Sequence, residues 1–267
     1  MPFSECTGLR MHYEVRGVGA PLLLLNHIGA SRLGWHDEFL AALEAHFTLI
    51  LSDHRGTGNS DKPDAPYTLH DLARDTVGIL DTLKQQRVHL LGQSMGGAVA
   101  QEVVLLAPER VDHLVLVSTC CGARMSVPAD PAVRQRFARR EGLSREERIK
   151  RVLPVYYSQA FIATHEAWLV AFTIRGTQET PPHTLVRQTA AVQQFDSYDR
   201  LPAIQQPTLI IHGTADPIIP CANAQILAER LPHARVELMP GVGHVPMTEQ
   251  PHGVADIVRA FCCAEVP

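Results

Sequence analysis

A serine can attack a carbonyl carbon only if it is held clear of its neighbours and has a base to take its proton. The 267-residue chain offers such a serine in Gly92-Gln93-Ser94-Met95-Gly96-Gly97. The positions two before and two after Ser94 are glycines, which is what a sharp turn needs where two backbones must pass closely. A hydroxyl is a weak nucleophile near neutral pH, so the chemistry also requires a base and a group to orient that base. His244, in Gly241-Val242-Gly243-His244-Val245-Pro246, and Asp216, in His212-Gly213-Thr214-Ala215-Asp216-Pro217, are the candidates. Each motif has a plainer reading by itself: a glycine-rich turn, an aspartate capping a loop, a histidine on a surface loop. What lifts them together is the kind of element each one follows.

The hydropathy pattern alternates between strands and helices. Arg10 to Arg16 alternates like a half-buried strand, and Pro21 to His27, Phe47 to Asp53, Val88 to Leu91 and His113 to Val117 read as short strands buried on both faces. Between them, Trp35 to Ala45, Tyr67 to Gln85 and Met95 to Ala107 carry helical spacing. The alternation returns from Pro207 with PTLIIHG as a strand, Ala222 to Leu231 as a helix, Ala234 to Met239 as a strand and Gly253 to Cys263 as a closing helix. Strand-helix alternation implies a mostly parallel sheet with helices on both faces, an α/β fold. Parallel strands open at one edge, so Ser94, Asp216 and His244, each just past a strand, would converge there. Residues 124–195 break the pattern: they are helical, charged and punctuated by Pro128, Pro131, Pro154 and Pro181-Pro182. They are expected to form an inserted helical cap, with 1–123 and 196–267 making one core domain.

Composition removes several classes of function. Lys+Arg 24 against Asp+Glu 28 leaves a net charge of -4, so no nucleic-acid partner is indicated. There is no long apolar run and no apolar signal-peptide core in Met1 to Arg10, so the chain is expected to be cytoplasmic and to leave membranes alone. Six cysteines, two adjacent pairs among them, make no C-x-x-C. The fourteen histidines form no His-x-x-x-His helix, and His27, His36 and His54 stand on separate loops. Neither a metal nor, from the spacing of the glycine turns, a nucleotide cofactor is expected; the partner is a small-molecule substrate.

From Pro21 to the last helix the chain resembles the α/β-hydrolase family, whose nucleophile sits in a G-x-S-x-G strand-turn-helix and whose acid and base follow in the order Asp, His. Asn26-His27-Ile28-Gly29-Ala30-Ser31, Asp53-His54-Arg55-Gly56-Thr57-Gly58-Asn59-Ser60 and the serine motif place it nearest the 3-oxoadipate enol-lactonase, aminoacrylate hydrolase and carboxylesterase neighbourhood. The resemblance implies an oxyanion hole made of the backbone N–H groups of Ile28 and Met95. It gives Asp53 and Arg55 the structural task of bracing loops. A serine at the elbow argues against dehalogenases and epoxide hydrolases, which attack with a carboxylate, and Val245 after the histidine weakens the carbon-carbon hydrolase branch. The expected function is a cofactor-free serine hydrolase acting on a small ester or lactone through an acyl-enzyme. The alternatives are a ligand-binding, receptor-like protein on the same fold and a carbon-carbon bond hydrolase. Of the cap aromatics Tyr156, Tyr157, Phe161, Trp168 and Phe172, Trp168 is the candidate pocket wall, against the reading that the whole row packs the cap.

Overall fold

Four consecutive leucines, Leu22 to Leu25, show how the sheet is built. Side chains alternate across a strand, and here Leu22 and Leu24 enter one hydrophobic core while Leu23 and Leu25 enter the other. Leu90 and Leu91 divide in the same way, as does Ile210 from Leu209 and Ile211. A strand that must be apolar on both faces lies between two layers of helices. The computed structural model describes residues 2–137 and 142–264; residues 1, 138–141 and 265–267, which belong to the expected N-terminal, cap and C-terminal segments, lie outside them.

The chain runs β1 (Phe3–Cys6), β2 (Leu9–Gly17), β3 (Ala20–Leu25), α1 (Asp37–Glu44), β4 (Phe47–Ser52), α2 (Leu69–Thr82), β5 (Val88–Gln93), α3 (Met95–Leu106) and β6 (Val111–Val117). Next come α4 (Pro131–Phe137), α5 (Arg145–Tyr156), α6 (Gln159–Thr177) and α7 (Pro182–Gln194), and then β7 (Thr208–Gly213), α8 (Ala222–Arg230), β8 (Ala234–Met239), α9 (Pro246–Glu249) and α10 (Pro251–Cys262). The strands form one sheet in the order β1-β2-β4-β3-β5-β6-β7-β8. β2 pairs antiparallel with both neighbours and every other pairing is parallel. Helices α2, α3 and α8 cover one face; α1 and α10 cover the other.

The elements agree with the alternation read from the sequence, with instructive differences. β1 is an added edge strand whose pairing with β2, Phe3 opposite His12, carries it; its mixed FSEC sequence has no run that announces a strand. α2 begins at Leu69 rather than Tyr67 because Thr68 and Asp71 form a reciprocal cap: Asp71 N–H donates to Thr68 Oγ1 at 3.2 Å and Thr68 N–H to Asp71 Oδ2 at 2.9 Å. Pro154 does not break the segment but sits in the last turn of α5, and the chain leaves the helix at Tyr157.

Where the chain leaves and re-enters the sheet domain, the two ends are stapled. Gly122 bridges Asp196, and Arg124 pairs with Asp196 at 2.7 Å and Asp199 at 2.6 Å. The loop after β4 is held just as firmly. Asp53 accepts from the N–H of Arg32 (2.7 Å) and of Asn59 (3.0 Å) and contacts His12 Nδ1 (2.9 Å), while Arg55 grips Asp75 of α2 through Nε (2.6 Å) and Nη2 (2.7 Å). Both side chains of that second pair are buried. Removing one partner leaves the other charge buried and alone, which costs about 3–5 kcal/mol, whereas replacing both by apolar groups leaves no orphan. Arg55→Met should therefore destabilise by that amount in urea unfolding, and Arg55→Met/Asp75→Leu by less than either single change. Additive losses would show that the pair is not coupled.

Candidate active site

β5 ends at Gln93 and α3 begins at Met95, so Ser94 alone makes the turn between them. Its φ of 56° and ψ of -117° lie where a side chain is strained. The surroundings fix it there. Ser94 N–H donates to Val117 O at 2.9 Å, and Ser94 O accepts from Thr119 Oγ1 at 2.7 Å and from Gly97 N–H at 2.9 Å. The flanking glycines are required by contact: a Cβ on Gly92 would lie 2.2 Å from Gly96 O, and one on Gly96 2.1 Å from Leu25 O. β5, α3 and β3 thus approach through bare backbone.

Asp216 follows β7 and His244 follows β8, and the structure brings both to Ser94. Asp216 Oδ2 lies 2.7 Å from His244 Nδ1, and His244 Nε2 lies 3.0 Å from Ser94 Oγ. An ionised carboxylate can only accept, so Nδ1 carries the proton and the Nε2 lone pair faces the serine hydroxyl. The other oxygen, Asp216 Oδ1, accepts from the N–H groups of Ile218 (2.9 Å) and Ile219 (3.0 Å). Burial alone would raise the Asp216 pKa; the charge of His244 and hydrogen bonds from His212 and His244 outweigh it and bring it down to about 2. The carboxylate therefore stays ionised.

The histidine is clamped on its backbone. His244 N–H donates to Tyr156 O at 2.8 Å, and its own carbonyl accepts from Gln93 Nε2 at 3.2 Å. Just before it, Gly243 N–H donates to Glu249 Oε1 at 2.8 Å, and Glu249 also takes the N–H (2.9 Å) and hydroxyl (2.5 Å) of Ser158. Two residues at the α5–α6 junction, Tyr156 and Ser158, thereby reach the histidine loop.

Ile28 and Met95 stand on the same side. Met95 is the first residue of α3, so its N–H precedes the helical ladder and points outward with the positive end of the helix dipole. Ile28 lies in the loop after β3, where its carbonyl accepts from His27 Nδ1 at 3.0 Å. Of the five aromatics in this segment, Tyr156 brings its ring against this group, its centroid 6.0 Å from those of His244 and of His27. Trp168 is not gathered here. It stacks on Phe172 at 4.9 Å, lies 5.0 Å from His36 and is 40% exposed, contacts that favour the cap-packing reading. Its helical spacing to Phe172 fits a surface stack as well as a pocket wall, which is why sequence alone did not place it.

Several participants were not singled out from the sequence. His212, four residues before Asp216, contacts Asp216 Oδ2 at 3.3 Å; that i, i+4 spacing at a strand end was the available signal. Glu249 carried none, since a lone carboxylate in a short helix resembles any surface residue. His27 and His54, read as scattered, meet beside Asn26, whose carbonyl lies 3.2 Å from His54 Nε2. Among the described residues no group of three or more His, Cys, Asp or Glu side chains is placed to hold a metal ion, and no helix is long and apolar enough to cross a membrane.

The α/β-hydrolase fold family model matches residues 20–251. The chain belongs to that family and is a hydrolase of its kind. A protein of Azorhizobium caulinodans named as a carbamate hydrolase, RutD, is 30% identical over 98% of each chain. A poly(3-hydroxyalkanoate) depolymerase of Ectopseudomonas oleovorans is 34% identical, over 90% of this chain and 83% of that one. Among solved structures, Est816, described as an N-acyl homoserine lactone degrading enzyme, superposes with a TM-score of 0.83 at 28% identity, covering 97% of this chain and all of that one.

His27 gives the site a measurable acid sensitivity. Burial is the main cause that lowers its pKa to about 4, with the nearby His244 and His54 adding to the effect and a bond to Ile28 opposing it. Between that value and about 6.5 the unfolded chain binds a proton that the folded protein does not, so this stability is present above pH 6.5 and falls on acidification. Moving from pH 7 to pH 5 should cost the wild type about 1–2 kcal/mol more than His27→Asn in urea unfolding. Equal losses for the two proteins would show that His27 titrates normally.

Proposed function

We propose that the chain is a cofactor-free serine hydrolase that cleaves a small carboxylic ester or lactone through an acyl-enzyme. The observation that carries this reading is the continuous path from Asp216 Oδ2 through His244 to the strained Ser94 hydroxyl, 2.7 Å and then 3.0 Å long. A turn held in a costly conformation beside a correctly tautomeric imidazole is what a nucleophile needs and what a ligand-binding pocket does not.

In this mechanism Ser94 Oγ attacks the carbonyl carbon as its proton passes to His244 Nε2. Asp216, kept ionised, holds the ring and offsets the charge it gains. The N–H groups of Met95 and Ile28 receive the oxyanion. His244 then returns its proton to the leaving alkoxide, and the Ser94 ester remains. A water enters, gives its proton to the same nitrogen and attacks the ester; the adduct then collapses as His244 passes that proton to Ser94 Oγ, releasing the acid and restoring the serine. The helical segment 124–195 acts as the cap over this centre, and Tyr156 supplies the wall nearest the reacting atoms. Ester cleavage is in keeping with the depolymerase, and lactone opening with the lactone-degrading enzyme, to which the chain is similar. A carbamate presents the same carbonyl to the same nucleophile, so carbamates belong in the substrate panel.

Incubation with a small fluorophosphonate should add the phosphonyl mass to one residue, identified as Ser94 by peptide mapping. Ser94→Ala should keep the circular dichroism of the wild type, remain unlabelled and lose at least about a thousandfold in kcat/KM across a panel of aryl esters, lactones and carbamates. Residual turnover above about a thousandth of wild type, or labelling elsewhere, would remove Ser94 as the nucleophile.

A further inference from the structure

Helix α7 meets the sheet domain at the loop that follows β3. Gln188 of α7 is completely buried, and its two polar atoms reach two different loops of the sheet domain. Gln188 Oε1 accepts the N–H of Gly29 at 2.8 Å, and Gln188 Nε2 donates to Arg55 O at 3.4 Å. Gly29, at φ 74°, follows Ile28 directly. Thr180 Oγ1, at the turn before α7, donates to Gly29 O at 2.8 Å, so both polar groups of that glycine are taken by the cap. Thr184, one turn before Gln188 and also buried, donates to Gly56 O at 3.0 Å.

We infer that Gln188 is a positioning residue for the oxyanion hole: by fixing the Gly29 peptide it sets the direction of the neighbouring Ile28 N–H. The physics is that of a short loop with few soft dihedrals. Ile28 and Gly29 share a chain in which rotating one peptide plane turns the next, and Gly29 by itself has the least conformational restraint of any residue. Its left-handed conformation is held from outside, by the Gln188 acceptor on one side and the Thr180 hydroxyl on the other. An oxyanion donor works only when it is already aimed at the developing charge, because then no reorganisation is needed during the reaction. On this reading α7 is part of the catalytic frame as well as a cover over the pocket. The inference rests on the proposed role of Ile28.

The test compares Gln188→Met, which loses both polar contacts, with Gln188→Glu, whose un-ionised carboxyl accepts from Gly29 N–H and donates to Arg55 O as the amide does. Gln188→Asn, with the amide drawn back by one methylene, replaces the methionine variant if that one does not fold. For each folded variant, well below its melting temperature, kcat, KM and the inhibition constant of a small alkyl boronic acid are measured between pH 5.5 and 8.5. The boronate forms a tetrahedral adduct on the serine and places an oxygen in the oxyanion hole. Gln188→Met should lose about ten- to a hundredfold in kcat and a similar factor in boronate affinity, with KM within about threefold of wild type. Gln188→Glu should recover activity relative to wild type at the same pH, most at the acid end where its carboxyl is neutral. A methionine or asparagine variant with wild-type kcat and boronate affinity overturns the proposal. So does a loss confined to KM or to melting temperature, or a glutamate variant no better than methionine at any pH. Failure of the serine reading itself would show separately, as wild-type protein that neither turns over esters nor accepts the fluorophosphonate on Ser94.

Discussion

The positive φ at Ser94 is the constraint around which the molecule is arranged. A side chain in that conformation is unfavourable by about 1–3 kcal/mol and persists only where its neighbours leave no alternative. Here the neighbours are backbone: Val117 O takes its N–H, Thr119 and Gly97 take its carbonyl, and the bare α-carbons of Gly92 and Gly96 let β3, β5 and α3 meet. Those strands are the central ones of the sheet and are packed on both faces, so the strain is borne where the backbone has the most neighbours on either side. A nucleophile set on a mobile loop would relax.

The electrostatics follow from that geometry. The Nε2 atom of His244 faces Ser94 because its other nitrogen is protonated and held by Asp216. Asp216 does this from a buried position where a carboxylate would ordinarily be neutral, and it stays charged because His244, His212 and two backbone N–H groups surround it. Nearby, burial keeps His27 neutral near pH 7.

The helical segment is bound to the sheet domain at the loops after β3 and β8. Tyr156 O and Ser158 hold the histidine loop, Gly176 O takes the N–H of Ser31, and Gln188 and Thr180 hold Gly29. Apart from the Ser158 bonds to the Glu249 carboxylate, these pair backbone groups that loops between strand and helix leave open, and burying such groups requires that the packed segment supply partners.

The strands, the α/β layering and the Ser94, Asp216, His244 constellation were legible in the sequence because they rest on local signals: runs apolar on both faces, helical periodicity, and glycines where backbones must pass. The edge strand β1 was not, since its pairing with β2 is a property of the neighbour. Nor could the sequence tell Tyr156 from Trp168, two aromatics on neighbouring helices of the same segment. Tertiary structure put one beside His244 and stacked the other on Phe172 and His36 near the surface. Gln188 and Glu249 were invisible for the same reason. A polar side chain in a helix reads as a solvent-facing residue, and only the fold decides that Gln188 is buried against Gly29, more than a hundred residues away, or that the half-buried Glu249 links Gly243, six residues before it, to the distant Ser158. Local pattern determines which elements form; the partners of buried polar groups are set by where those elements meet.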